Sequence, residues 1–241
     1  MAGGDDVVVA RFNSDMDAIA NRCLGGKQND YPYDLAVGTV EGGIVVAFTT
    51  MQLPSIDFIT LSTMTGQTNA VIVALSPYAQ AIAVATFTPN AGSGEAVTPH
   101  AIVIDGAANT APSYVVSMSS TLSSTSSVIA SGNVTFLSGN GPWLVRLSRD
   151  TLKVIAVVKV YVTTPVPNVY TSTSRLLRRA DGTFVLCGVT SSTGAITTTA
   201  GSIASFTEFV IVFSSALVVV KQYTYGVVNI EEGRSTTTEI D

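Results

Sequence analysis

Short apolar runs follow one another along the whole chain, and glycine, proline, asparagine or serine separates each run from the next. The runs are rich in β-branched and aromatic residues, which favour strands. An amphipathic helix would place apolar residues with a period of about 3.6 over 11 or more positions, and no segment carries a convincing stripe of that kind. The pattern therefore predicts an all-β protein.

One phrase recurs within this pattern. It consists of an apolar strand that ends in a bulky residue, then a small polar residue or Asp, then a second apolar strand. The bulky residues are Phe12, Leu61, Ile104, Leu147 and Phe213. Successive members of this series are 49, 43, 43 and 66 residues apart. A period of about 40–50 residues is typical of β architectures that are built blade by blade.

Both faces of the phrase strand are apolar, which bears on the kind of sheet it forms. In the last copy, Ile211 and Phe213 lie on one face and Val210 lies on the other. Burial on both faces is expected where each sheet lies between two neighbouring sheets, as in a β-propeller. A β-sandwich would show a cleaner alternation of apolar and polar residues, and it is the alternative fold.

We therefore expect residues 1–241 to form a single blade-repeat domain, a β-propeller-like array of about five four-stranded blades. The expected units cover residues 5–55, 56–98, 99–141, 142–207 and 208–241. The first unit is expected to contain the strands Val7–Phe12, Ala18–Leu24, Tyr33–Val40 and Gly43–Thr50. The last unit lacks a full set of strands. Strands borrowed between the termini, a partner, or a longer polypeptide would complete it.

Two further phrases carry a resemblance to a known family. Residues 143–148 read WLVRLS, and residues 180–192 read ADGTFVLCGVTSS, with a second copy of the latter at 40–50 and a TYG strand end at 224–226. These phrases resemble the repeat of bacterial cell-surface β-propeller proteins, in which WLVKLD, TYG and DGGY phrases alternate. The resemblance covers about half the chain, and units two and three diverge from it. It implies propeller blades of surface-exposed proteins, without a shared catalytic apparatus.

Composition narrows the class of partner. Charged residues make up only 12% of the chain, the net charge is −5, and residues 28–145 contain no Lys or Arg. These features argue against binding to nucleic acid, whose phosphates require basic residues. A hydroxyl-rich surface suits secreted proteins, virion parts and subunits of larger assemblies, so an extracellular or particle-associated location is favoured over the cytoplasm. Arg175, Arg178 and Arg179 form a basic cluster that we predict to face a partner.

Few residues suggest catalysis or metal binding. His100 is the only histidine and occupies a strand start in the repeat, where packing is its expected role. Asp15 and Asp17 fall in a predicted hairpin turn, where local backbone hydrogen bonds favour Asp. Asp30 and Asp34 complete no calcium-loop motif. Cys23 and Cys187 fit no metal spacing. We therefore predict no catalytic residue, no metal and no cofactor.

The sequence as a whole favours a non-catalytic structural or interaction module of a larger assembly, such as a virion, a fibre or a surface complex. Protein partners or self-assembly are expected. No membrane span is expected, because no apolar segment reaches about 20 residues, and the acidic start of the chain predicts no secretory signal. The alternative is a lectin-like propeller that binds carbohydrate on aromatic side chains. The candidate aromatic residues are Trp143, Tyr31, Tyr33, Tyr114 and Tyr170.

Overall fold

The computed structural model describes residues 4–38, 42–52, 55–56, 59–60, 67–90, 94–106, 113–121, 127–130, 134–136, 141–160, 171–190 and 207–227. The secondary structure of these residues consists of strands, which confirms the all-β prediction. The strands are β1 Val7–Phe12, β2 Ala18–Leu24, β3 Asp30–Val37, β4 Ile44–Thr50, β5 Ser55–Ile56, β6 Ile59–Thr60, β7 Asn69–Leu75, β8 Ala81–Pro89, β9 Ala96–Asp105, β10 Ser113–Thr121, β11 Val128–Ala130, β12 Val134–Phe136, β13 Gly141–Ser148, β14 Val154–Lys159, β15 Thr171–Arg178, β16 Phe184–Thr190, β17 Thr207–Phe213 and β18 Val219–Val227.

The strands pair in an antiparallel manner to form four main sheets, none of which closes on itself within the described residues. Sheet I contains β1 and β2. Sheet II has the order β3-β4-β7-β8-β11-β12, sheet III the order β9-β10-β13-β14, and sheet IV the order β15-β16-β17-β18. A two-residue pairing of β5 with β6 stands apart. Within the described residues there are thus four main sheets, of two, six, four and four strands, and the array of about five four-stranded blades stays a prediction.

The four sheets are stacked face to face, with an apolar core between each neighbouring pair. The core between sheets I and II includes Val7, Leu24, Phe48, Val73 and Leu75. The core between sheets II and III includes Ala47, Ile72, Tyr114, Val145 and Leu147. The core between sheets III and IV includes Val115, Leu144, Phe184, Ile211 and Phe213. Sheets II and III are thus buried on both faces, which explains why their strands read as continuous apolar runs.

The same turn ends the third strand of sheets II, III and IV, and it also ends β1. At the start of the turn, an Asn or Ser side chain accepts a hydrogen bond from the backbone N–H of a residue four or five positions later. The residue directly before this N–H donor has a positive φ. The side chains that accept are Asn13, Ser76, Ser148 and Ser214. The residues with positive φ are Met16 (67°), Ala79 (60°), Leu152 (51°) and Leu217 (60°). By this criterion β1 and β2 are the third and fourth strands of a sheet.

These turns define the structural repeat, and it differs from the expected one. The residues that precede the turns are Phe12, Leu75, Leu147 and Phe213, which are 63, 72 and 66 residues apart. Leu75 was missed because its strand is uniformly apolar. Ile104 lies in β9, the first strand of its sheet, and Leu61 lies outside the described residues.

Two sheet boundaries fall inside expected units, two strands after the unit begins. The strands expected to form the unit at 5–55 are divided between sheets I and II, and those at 142–207 between sheets III and IV. The reason lies in the pairing of β16 with β17, which places the strand after the ADG turn beside the strand of the following phrase copy. Sheets II and IV therefore begin in the middle of an expected unit, whereas sheet III begins close to the start of the unit at 99–141.

Candidate functional site

A groove with a volume of about 710 Å³ lies between sheets I and II, and we call it the β1 groove. It is lined by the whole of β1, by β3 residues that include Leu35 and Val37, by Gly43 and Ile44, and by the turn residues Ser76 and Pro77. The lining is mostly apolar, with Arg11 as its basic residue. Because apolar surface of this kind is costly to leave in water, the groove is the first candidate for a binding site.

The groove exists because sheet I contains only two strands among the described residues. Leu35 in β3 pairs with Val46, Ile102 in β9 with Val116, and Leu176 in β15 with Leu186. Each of these pairing partners belongs to the core shared with the preceding sheet, so Leu35, Ile102 and Leu176 occupy equivalent positions. The side chain of Leu35 is nevertheless 54% exposed, whereas Ile102 is 4% and Leu176 is 3% exposed.

Coverage by the first two strands of the preceding sheet accounts for this difference. Ile102 shares a core with Val45 and Ala47 of β4, and Leu176 shares one with Ala101 of β9 and Val115 of β10. Sheet I has no described strands in the corresponding place. Val37 lies two residues after Leu35, on the same face of β3, and it is accordingly 67% exposed. The β1 groove is therefore the space that a first and second strand of sheet I would fill.

An arginine joins two neighbouring sheets at each end of the stack in the same way. Arg11 Nη1 donates to the carbonyl oxygen of Pro77 at 3.2 Å, and Arg146 Nη2 donates to the carbonyl oxygen of Ser215. Both arginines stand immediately before the bulky phrase residue, and both acceptors stand immediately after the serine of the next turn. The pairs I–II and III–IV thus repeat one contact.

Arg146 has a carboxylate partner as well. Asp105, at the end of β9, lies 3.1 Å from Arg146 Nη2 and 3.6 Å from Arg178 Nε, and it accepts a hydrogen bond from the Ser113 hydroxyl at 3.1 Å. Its side chain is 15% exposed, so these charges interact with little solvent screening. Among the described residues, no carboxylate lies within ion-pair distance of Arg11.

The predicted basic cluster is not gathered into one surface. Arg178 faces sheet III and pairs with Asp105, whereas Arg175 lies on an exposed position of the same strand that is an odd number of residues away. Arg179 is exposed and lies 3.9 Å from Asp181. The role of these arginines in partner binding stays a prediction, but Arg178 already has an internal partner.

His100 lies within β9, not at its start, and takes part in local packing. Its Nε2 is 2.6 Å from the Ser119 hydroxyl, and its ring packs edge-on against Tyr33 with 6.0 Å between centroids. Burial lowers the pKa of His100 to about 4, so the imidazole is neutral at physiological pH.

The candidate carbohydrate-binding aromatics are dispersed. Trp143 and Tyr114 are buried between sheets II and III, where Trp143 Nε1 donates to the Ser120 hydroxyl at 2.8 Å. Tyr31 and Tyr33 are 47% and 43% exposed on β3, and Tyr170 lies outside the described residues. Of the four candidates that the structure describes, only Tyr31 and Tyr33 are therefore exposed to solvent.

The acidic residues considered for calcium lie in different surroundings. Asp15 and Asp17 lie at the turn after β1, but the side chain that accepts from the local backbone is Asn13, to which the N–H groups of Asp15 and Asp17 donate. Asp30 is buried and accepts from the backbone N–H of Gly26, and burial raises its pKa. In the part of the chain that the structure describes, no group of three or more His, Cys, Asp or Glu residues could hold a metal ion, and Cys23 and Cys187 form no disulfide bond there.

Sequence reasoning missed the residues of the β1 groove. Arg11 and Arg146 could have been matched, because both precede a bulky phrase residue and both are followed two positions later by Asn or Ser. The exposure of Leu35 had no such signal, since its apolar neighbours read as a buried strand.

No protein-family model and no curated protein matches the chain. Within the described ranges, no helix has the length and apolar character needed to cross a membrane.

Proposed function

We propose that this protein is a non-catalytic interaction module, a propeller-like array of stacked sheets that operates as part of a larger assembly. The observation that carries the proposal is the exposure of apolar side chains on the two terminal sheets of the stack. Val8 and Phe12 on the outer face of sheet I are 69% and 51% exposed, and Leu177 and Tyr223 on the outer face of sheet IV are 48% and 44% exposed. Apolar surface on the outer faces of both terminal sheets of a repeating stack favours continuation into a neighbouring molecule.

The propeller-like part of the proposal draws support from the repeated turn and from the face-to-face order of the sheets. A propeller arranges four-stranded antiparallel blades so that each blade packs on the next. Sheets III and IV have four strands, and four consecutive members of sheet II, β3 to β8 without β5 and β6, correspond to them.

The non-catalytic part rests on the sequence. His100 is the only histidine, and its Nε2 lies 2.6 Å from the Ser119 hydroxyl, which is the contact that a Ser–His pair would make. Within the described residues, however, no carboxylate hydrogen-bonds the other ring nitrogen, as the third member of a triad would. Burial also lowers the pKa of His100 to about 4, which makes it a weak general base.

Native mass spectrometry and sedimentation of the purified 25.0 kDa chain test the proposal. We expect masses above the monomer that grow with concentration. Phe12→Lys should reduce this association, because a charge would enter the contact. Ile82→Lys is the matched control, since Ile82 is 42% exposed but belongs to the internal sheet II. A monomer at every concentration, or equal effects of both variants, would contradict assembly through the terminal sheets.

A further inference from the structure

We propose that the β1 groove receives a β-hairpin from a further repeat of the same kind, which pairs with the free edge of β1 and completes sheet I. The inference deepens the proposed function and rests on it, because it names the chemical form of the partner at one end of the stack. The occupant is an extended two-stranded segment, bound by backbone hydrogen bonds along β1 and by apolar contacts with β3.

The pairing of the other sheets defines what β1 lacks. The third strand of each complete sheet pairs with a second strand over seven or eight residues, as β7 does with β4, β13 with β10 and β17 with β16. Within the described residues β1 pairs only with β2. With respect to the described residues, the other edge of β1 therefore presents a row of backbone donors and acceptors to the groove, which is a template for strand addition.

The surfaces that cover the equivalent positions define the side chains of the occupant. The first two strands of sheet II contribute Val45 and Ala47 to the buried cluster that contains Ile102, and those of sheet III contribute Ala101 and Val115 to the cluster that contains Leu176. The buried residues from these strands are therefore alanine and valine in both cases. A hairpin that covers Leu35 should carry alanine and valine on its groove side.

Charge complementarity adds a second requirement. Asp105 ends the first strand of sheet III and neutralises Arg146, and Arg11 is the counterpart of Arg146 in sheet I. An acidic residue at the end of the hairpin's first strand would reach Arg11 in the same manner. The groove thus favours a hairpin that resembles β9–β10.

A second intact copy of this chain is a poorer occupant. Its hairpins β3–β4, β9–β10 and β15–β16 already pair with third strands inside sheets II, III and IV. A copy could insert one of them only by unpairing it from its own sheet, so the occupant is a hairpin from an additional repeat.

The test uses the full chain and a fluorescently labelled synthetic peptide that comprises residues 94–121, which contain β9 and β10. Fluorescence anisotropy should report saturable binding at one site per chain. Leu35→Lys should weaken it by about tenfold or more, since burying a leucine contributes at least that factor. Leu177→Lys is the matched control, because Leu177 has similar exposure on the far sheet, and it should leave the affinity unchanged.

Charge pairing is tested by a double-mutant cycle between the Arg11→Gln chain and the peptide with Asp105→Asn. Each single change should weaken binding by about three- to tenfold, and the combination should weaken it no more than either change alone. Additive effects would overturn the assignment of Arg11 as the partner of the hairpin carboxylate. Methylating the backbone nitrogens along the second strand of the peptide should abolish binding, whereas retained binding would exclude strand addition.

Three other outcomes would overturn the hairpin proposal, and they can be distinguished from failure of the proposed function. Absence of peptide binding to a monomeric chain would exclude the hairpin. If the chain self-associates and Leu35→Lys makes it monomeric, the occupant is a second copy. If the chain associates through sheet IV and Leu35→Lys has no effect on peptide or mass, the proposed function stands and the groove assignment fails.

Discussion

Leu217 combines an unfavourable backbone conformation with a buried side chain, and this combination gives an unusual prediction. Its φ is 60°, in the left-handed region, yet its side chain is only 1% exposed in the core between sheets III and IV. A left-handed conformation costs about 1–2 kcal/mol for a residue other than glycine. Core burial must therefore outweigh this cost.

The magnitudes follow from the two terms. Leu217→Ala removes buried methyl groups and should destabilise the protein by about 3 kcal/mol, within the usual range for leucine in a core. Leu217→Gly removes one more methyl group but relieves the backbone, and glycine's extra freedom in the unfolded chain offsets part of that relief. We expect Leu217→Gly to be about 0.5–1 kcal/mol more stable than Leu217→Ala, which reverses the usual order of alanine and glycine.

Met16 is the control for this prediction. It has a φ of 67° in the equivalent turn of sheet I, but its side chain is 75% exposed. Met16→Ala should leave stability nearly unchanged, and Met16→Gly should raise it. The assay is urea unfolding followed by circular dichroism and by Trp143 fluorescence. If Leu217→Ala costs no more than Met16→Ala, or if glycine is worse than alanine at both positions, the reasoning is wrong.

Two further predictions concern charge. Because the pKa of His100 falls to about 4 in the folded protein, the unfolded chain binds a proton more readily below pH 6.5, and this group should remove about 2–3 kcal/mol of stability between pH 7 and pH 4.5. The urea midpoint of His100→Gln should fall less steeply over this range than that of the wild type, and parallel curves would refute the assignment. Asp105→Asn should cost about 1–2 kcal/mol, because Arg146 and Arg178 both lose a partly buried partner, and trypsin should then cleave faster after Arg178. Asp181→Asn, at an exposed ion pair, should not change the urea midpoint, and equal losses for the two variants would contradict the distinction.

The sequence predicted the class of structure better than its period. Strand composition and two-sided apolar faces were sufficient for all-β sheets, because these properties are local to each strand. The period required recognition of equivalent turns, and these depend on a single Asn or Ser followed by a left-handed residue. Leu75–Ser76 fits this turn pattern. The apolar run Ile59–Leu61 nevertheless matches the recurring phrase better, so the phrase places its bulky residue at Leu61, and the spacing to Ile104 becomes 43 residues.

The candidate site was less predictable for a physical reason. Exposure of Leu35 depends on which strands the preceding sheet contains, and that is a property of the stack as a whole. The residue itself resembles Ile102 and Leu176 in type and position. Only the exposed fractions of the three side chains, 54% against 4% and 3%, distinguish the site from the core.

The repeated arginine contact has a consequence for the order in which the sheets unfold. Arg11 reaches from sheet I to Pro77 of sheet II, and Arg146 reaches from sheet III to Ser215 of sheet IV, so each sheet is held chiefly by the sheets beside it. A system with only nearest-neighbour coupling loses stability from its ends inward. Sheet I, with two strands and one neighbour, is then the place where hydrogen exchange should begin, and amides of β10 in the middle of the stack should exchange last.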